Sequence, residues 1–558
     1  MKSRRLSVLL PIVVLTSCAS GGNKNVSYIT SSDEGTTTVY IHKNNNSTST
    51  ERYIAPRNVE VKYTQESLNG IMSGRGTVLP SIGNSKLLVI PVHLPGSTYN
   101  TEAVRKDIEK AFFGDDNRYT SVADYFATSS YGKLRLSGEV TDWFDVTKTS
   151  VGNDLANVDE DHIRNVIIED AVSWAVKEQG ISRSDYDGNG DGFIDAVYLV
   201  YDHYDYETVY DQYYKGYTNI TGNDISGIFV NHTLWTENTP FKNAPEVSGY
   251  AWCSFASLYK GYCAKDANGY MELDDLKSID VDSHPFIHET GHLLGLKDYS
   301  NGSDYNPLGK FSMMDNMTGD LDSYSKITLG WITPYIVYGT SSILLEKENK
   351  NDHSVIIIPS NFEDISEEIE GVVKTKNQDK YKYSFNPFSE YIMVDMFTSD
   401  LLNEKDIGDG RVNYSSITNT KGGVRIYHVD SRLFTLKTTQ FAGGAKVSVS
   451  NSQWDGEEIS EKETLVSAIT NGNVESSTYG LHTDYDYLDQ IRLVESGKLD
   501  TFSYGGSFER DTLFEKGGNE FSIIDYGYQF FNSSYTYNDG NEMPFYLKVR
   551  TLEDVTHE

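Results

Sequence analysis

The chemistry legible in this chain is concentrated in His288-Glu289-Thr290-Gly291-His292-Leu293-Leu294-Gly295-Leu296-Lys297-Asp298. Histidines four residues apart lie on one helix face, where two imidazoles can hold one zinc ion. Glu289, beside the first of them, is placed to act as general base on a zinc-bound water. Gly295 lets the chain leave the helix and turn back, and Asp298 then arrives where a third ligand is needed. A chance HExxH is expected roughly 0.02 times in a chain of this composition, so the pattern is treated as a signal.

A catalytic zinc keeps three protein ligands and one open position. The first Glu after Glu289 is Glu346 and the first His after His292 is His353, both far downstream. Asp298 is therefore the economical third ligand. His284, one turn before His288, is read as a supporting or solvent-facing histidine and not as a ligand.

A second constellation is Asp187-Gly188-Asn189-Gly190-Asp191-Gly192-Phe193-Ile194-Asp195. Oxygen ligands at alternate positions, a Gly turn and then an apolar residue entering a strand resemble the front of an EF-hand-like calcium loop. Asp187, Asn189, Asp191 and Asp195 are the expected calcium ligands. Position 12 is Tyr198 where a bidentate Glu is usual, so the loop is incomplete as an EF-hand.

Positioning these groups requires a scaffold of strands and helices. Leu87 to Val92 and Ala196 to Tyr201 read as buried strands, and Leu134 to Val140 with Trp143-Phe144 as further strand. Thr101 to Phe113, Ser121 to Ser130 and Asp161 to Gln179 carry helical periodicity, and Ser283 is the expected N-cap of the zinc helix, with Pro285 in its first turn. The alternation predicts an α/β catalytic domain over 83–340, a twisted mixed sheet carrying the zinc helix. Beyond it, short apolar runs between polar turns predict a mostly-β region over 341–558, with a sandwich as one arrangement.

The chain has 558 residues and a formal net charge of −33, which argues against nucleic acid or an anionic membrane surface as partner. Lys2, Arg4 and Arg5 precede an apolar run ending at Leu15-Thr16-Ser17-Cys18, so 1–17 reads as a lipoprotein signal peptide with Cys18 lipidated. That predicts an exported bacterial lipoprotein, touching the membrane only through its lipid and facing the periplasm or cell exterior. Residues 18–82, rich in Ser, Thr, Asn and Gly, read as a flexible tether; a pro-segment within them is left open. Cys253 and Cys263 could form a disulfide in an exported protein, and two separate thiols are the alternative.

Around the zinc motif the chain resembles the metzincin peptidases and, among them, the immune inhibitor A family. Gly309-Lys310-Phe311-Ser312-Met313-Met314 is similar to the family's methionine turn, which makes Met314 the residue packed beneath the metal. Ser121 to Phe126, Ser130 to Leu134, Lys326 to Trp331 and Gly422 to Asp430 are similar to further family segments, so the likeness covers roughly residues 85 to 430. Lys297 departs from the family's usual Pro, and no Tyr stands two residues past Met314. The resemblance implies a zinc endopeptidase hydrolysing extracellular proteins; the chain is expected to be a monomer, with calcium at the Asp187–Asp195 loop as a structural ion. A cell-surface adhesin that keeps the fold without the activity is the alternative, against which the intact Glu289 speaks.

Overall fold

Strand β3 (Gly83–His93) lies at the heart of the N-terminal half because Leu87 to Val92 supplies apolar side chains to both of its faces. A strand buried on both sides belongs in a sheet covered by helices on either face, and the neighbours conform. In the computed structural model β3 pairs in parallel with β4 (Leu134–Val140), β5 (Phe144–Asp145) and β6 (Ile194–Tyr201). Strand β8 (Val247–Ser254) pairs in parallel with β6, and β7 (His232–Trp235) closes the edge antiparallel to β8. The structure describes, with short interruptions, residues 78–114, 119–152, 166–202, 247–259, 281–346, 355–360, 390–408, 422–450 and 490–550, together with 36–43, 54–58, 232–235 and 464–467.

Alternate residues of this mixed sheet enter two cores. Leu87, Val89, Ala196, Tyr198 and Val200 face helices α1 (Glu102–Phe113) and α2 (Val122–Ser129) and the zinc-motif helix, α4 (His284–Leu293). Leu88, Ile90, Val92, Val197 and Leu199 face α3 (Ile168–Glu178), through Ile168, Ala171, Val172 and Ala175. Thr101 and Ser121 cap α1 and α2 with their side chains. The result is the expected α/β layering.

The C-terminal half is strand-rich. Short helices α5 (Met313–Asn316) and α6 (Ser323–Thr328) lead into β9 (Tyr335–Tyr338), β10 (Ser341–Glu346), β11 (Ile356–Pro359) and β12 (Glu390–Phe397). Helix α7 (Leu402–Gly408) follows, then β13 (Gly423–Asp430), β14 (Leu433–Phe441), β15 (Gly444–Ser450), β16 (Thr464–Ser467), β17 (Ile491–Leu493), β18 (Phe521–Ser522) and β19 (Phe545–Arg550). With β1 (Thr36–Lys43) and β2 (Ile54–Asn58), these make sheets ordered β10-β1-β19-β18, β17-β13-β12-β11-β9-β2 and β15-β14-β16.

Two of these sheets pack face to face. Ile356, Ile358, Ile392, Val394, Val424 and Ile426 of the six-stranded sheet meet Leu345, Leu547 and Val549 of the four-stranded one. The odd partners of that alternation, Ile357, Tyr391, Met393, Tyr427 and Val429, point the other way, into the core that also holds α1, α2 and α4. Phe311, Phe397 and Phe508 cluster there, mostly edge to face, with ring centroids 4.9–5.3 Å apart. The β half and the α/β half therefore share one hydrophobic core.

Two departures from sequence expectation concern boundaries. Strand β9 precedes residue 340 yet belongs to the C-terminal sheet, through its parallel pairing with β11. Strands β1 and β2 fall inside the stretch read as tether. Thr36-Thr37-Thr38-Val39-Tyr40-Ile41 is a run of β-branched and aromatic residues, and β1 is hydrogen-bonded on both edges, to β10 and β19. Its partners are remote in sequence, so local composition could not announce the pairing.

Candidate metal centre

Helix α4 is buried along its whole length. Ser283 is the N-cap residue, as expected, but does not cap through its side chain. Its Oγ donates instead to the Thr120 carbonyl. Asp282 takes that role, with Oδ1 accepting from the His284 backbone N–H at 3.1 Å. The helix is tied to the sheet by Tyr198, whose hydroxyl donates to the Phe286 carbonyl at 2.8 Å and lies 2.9 Å from Thr290 Oγ1.

The helix ends as Gly295 requires. With φ of +95°, Gly295 donates from its N–H to the His292 carbonyl, and the Leu296 N–H donates back to the Gly291 carbonyl. These are the two bonds of a Schellman ending. They turn the chain so that the Leu296 carbonyl comes within 2.9 Å of His292 Nδ1. His288 Nδ1 lies at the same distance from the Met313 carbonyl. A carbonyl only accepts, so each ring carries a proton on Nδ1 and turns Nε2 inward, the nitrogen that could ligate a metal.

Asp298 completes the arrangement. Its Oδ1 is 2.8 Å from His288 Nε2 and 3.4 Å from His292 Nε2. Zinc bonds of 2.0–2.1 Å at tetrahedral angles put ligand atoms roughly 3.3 Å apart, so these spacings suit one ion shared by three ligands. Glu289 is buried beside them, and one of its carboxylate oxygens lies within 4.8 Å of a nitrogen of each histidine. His288, Glu289 and His292 thus form a buried group able to hold a metal ion.

The electrostatics agree. Burial depresses His288, but the hydrogen bond and charge of Asp298 outweigh it and push the imidazole up to about 9. Burial raises the Asp298 carboxyl, and the two histidines overcome it, holding it well below the usual carboxylate range. Without a metal, these are the charges of a His288–Asp298 ion pair, whose proton a cation would have to replace.

Met314 is fully buried beneath α4. A Cβ built on Gly291 would stand 2.6 Å from Met314 Sδ, so the sulfur occupies the space that a side chain at 291 would need. Its neighbour Met313 contributes the carbonyl that orients His288. Lys297 lies outside the described residues, as do Cys18 and Cys263. Cys253 is buried in β8, so one partner of the expected disulfide falls outside what is described.

The Asp187–Asp195 loop has its carboxylates turned inward. Asp187 accepts backbone N–H bonds from Gly190, Asp191 and Gly192; Asn189 accepts from Asp191, and Asp191 from Phe193. Asp195, fully buried at the start of β6, uses Oδ2 to accept from Gly188 N–H, while Oδ1 has no hydrogen-bond partner. Burial, with the charges of Asp187 and Asp191 added, pushes Asp195 up to about 7. The loop's carboxylates do not converge as tightly as the zinc motif does: among the described residues the His288 group alone brings three ligand atoms within 4.8 Å of one another.

His284, read as supporting or solvent-facing, proves buried, and its two carboxylate partners, Asp282 and Asp406, had no reading in sequence. Its Nδ1 lies 2.7 Å from Asp282 Oδ1 and its Nε2 3.0 Å from Asp406 Oδ1. Asp282 carried a usable signal, being a capping residue type just ahead of the helix. Asp406, on α7, carried none, because 122 residues separate it from His284.

No family model matches this chain, and no curated protein matches it at a significant level.

Proposed function

We propose that the protein is a zinc-dependent endopeptidase of metzincin type, similar to the immune inhibitor A family, acting on proteins outside the cell. The observation that carries this is the meeting of His288 Nε2, His292 Nε2 and Asp298 Oδ1 beside a buried Glu289. The donor set of two imidazoles and one carboxylate suits zinc, and the backbone carbonyls of Met313 and Leu296 hold both rings in the ligating tautomer. Asp298, touching both nitrogens, is the third ligand; Glu289, adjacent but set back, is the general base.

Bound zinc would polarise the scissile carbonyl and acidify the attacking water. Glu289 takes the water's proton on its carboxylate and passes it to the leaving amine nitrogen. His288, His292 and Asp298 keep their donor atoms fixed, and Met314 fills the floor below Gly291. The substrates are proteins or peptides, with no nucleic acid partner, and the chain works as a monomer.

The lipid anchor at Cys18 is part of the same proposal and rests on the sequence. No helix among the described residues is long and apolar enough to cross a membrane. Calcium at Asp187, Asn189, Asp191 and Asp195 is supported by the buried, unpartnered Asp195 Oδ1, an acceptor without a donor that a cation would satisfy.

Casein zymography of the full chain, with and without chelator and alongside metal analysis, tests the assignment. Chelator-sensitive clearing with one bound zinc is expected. A zinc-loaded protein that degrades no protein substrate would favour the adhesin.

A further inference from the structure

The zinc helix is gripped at its first residue by the β half of the molecule. His284 lies one turn before His288 on the same helix face, so the groups that fix His284 fix the start of the helix that carries the ligand. The ring is held on three sides. Asp282 Oδ1 is 2.7 Å from Nδ1; Asp406 lies across Nε2 with its two oxygens at 3.0 and 3.3 Å; Tyr119 stacks on the ring face with centroids 3.8 Å apart. Carboxylates on opposite ring nitrogens ask for a donor on each side, an arrangement that orients the ring more strictly than one bond would.

Asp406 is itself immobilised. Its Oδ2 accepts from the Gly319 N–H at 2.5 Å, and the Gly319 carbonyl accepts from the hydroxyls of Tyr119 and Tyr125. One helical turn earlier on α7, Asn403 fixes the same helix independently. Its Oδ1 accepts from the Asp320 N–H and its Nδ2 donates to the Thr398 carbonyl at the end of β12. All of these groups are buried.

We infer that Asp406, in the C-terminal half, is a positioning residue for the zinc-binding helix, acting through His284. The C-terminal region then completes the metal centre as well as packing against it. This rests on the zinc reading above. It adds that the retention of the ion depends on a carboxylate about 120 residues downstream of the motif.

The contact on α7 can be separated from the mere docking of α7. Asp406→Asn places an amide N–H₂ where a carboxylate oxygen accepted, against either His284 or Gly319. Asn403→Ala loosens the same helix without touching His284. Both full-length variants are loaded with zinc, and the rate of loss to a colorimetric chelator is followed well below the unfolding temperature. Asp406→Asn should release zinc about ten-fold faster than wild type or more, and Asn403→Ala within about two-fold of it. His284→Gln provides a second route should Asp406→Asn fail to fold, and should match its expected loss. Equal release from the Asp406 or His284 variant and Asn403→Ala would overturn the inference while leaving the zinc reading in place. A wild-type chain that binds no zinc would overturn both.

Discussion

Asp298 Oδ1 stands 2.8 Å from His288 Nε2 and lifts that imidazole to about 9, against the burial that would lower it. A raised histidine contributes stability that is complete below its unfolded value near 6.5 and is lost as pH climbs through about 9. In metal-free protein at neutral pH, His288 therefore holds a proton that zinc must displace. Calorimetric titration in buffers of different ionisation enthalpy should show release of close to one proton per zinc at pH 7.5. Apparent affinity should rise about ten-fold per pH unit towards 9 and then flatten. Binding without proton release would contradict this geometry.

Glu289→Gln should keep stoichiometric zinc and lose about 10²–10⁴ in proteolytic rate, because the amide cannot take the water's proton while its shape still fits. Casein turnover measured with metal content decides it. Full activity in this variant would remove Glu289 from the reaction.

Asp195 is pushed up to about 7, so below that pH its carboxyl is protonated and must shed a proton to ligate. In calcium-free protein a raised carboxyl gives stability that is full below about 4 and fades as pH rises through 7. Millimolar calcium should reverse that loss, raising the melting temperature by several degrees at pH 8 and much less at pH 6. The rise should vanish in Asp195→Asn. Equal calcium effects at the two pH values would argue against ligation by this residue.

Asp315 on α5 is buried, with Oδ1 unpartnered and Oδ2 accepting from Lys310 N–H, and burial pushes it up to about 7. Its contribution to stability is complete below about 4 and lost as pH passes 7. Asp315→Asn keeps an acceptor for Lys310 and carries no charge. Thermal melts should show it more stable than wild type at pH 8, by up to about 4 kcal/mol, with the advantage gone at pH 4. A destabilised variant at pH 8 would show the carboxylate to be needed in its charged form.

Gly291→Ala should cost about 1–3 kcal/mol, because its Cβ meets Met314 Sδ at 2.6 Å in a packed floor. Combined with Met314→Ala, the two changes should couple by at least ~0.5 kcal/mol in a double-mutant cycle. Strict additivity would mean the two do not touch.

The sequence alone determined the local chemistry. His288, Glu289 and His292 share a face because helical period fixes it, and Gly295 marks the reversal because few other residues accept φ of +95°. Most strands and helices of the α/β half were legible for the same reason, since periods of 2 and 3.6 are written in neighbouring residues. What the tertiary structure decided are the relations between distant segments. The convergence of Asp298 on both histidines, and the carbonyls of Met313 and Leu296 behind them, depend on how loops return to the helix. Asp406 against His284 and β1 between β10 and β19 join residues with no local pattern in common. Such contacts are set by one shared core packing helices and sheets together, and packing is a property of the folded chain and not of any short stretch of it.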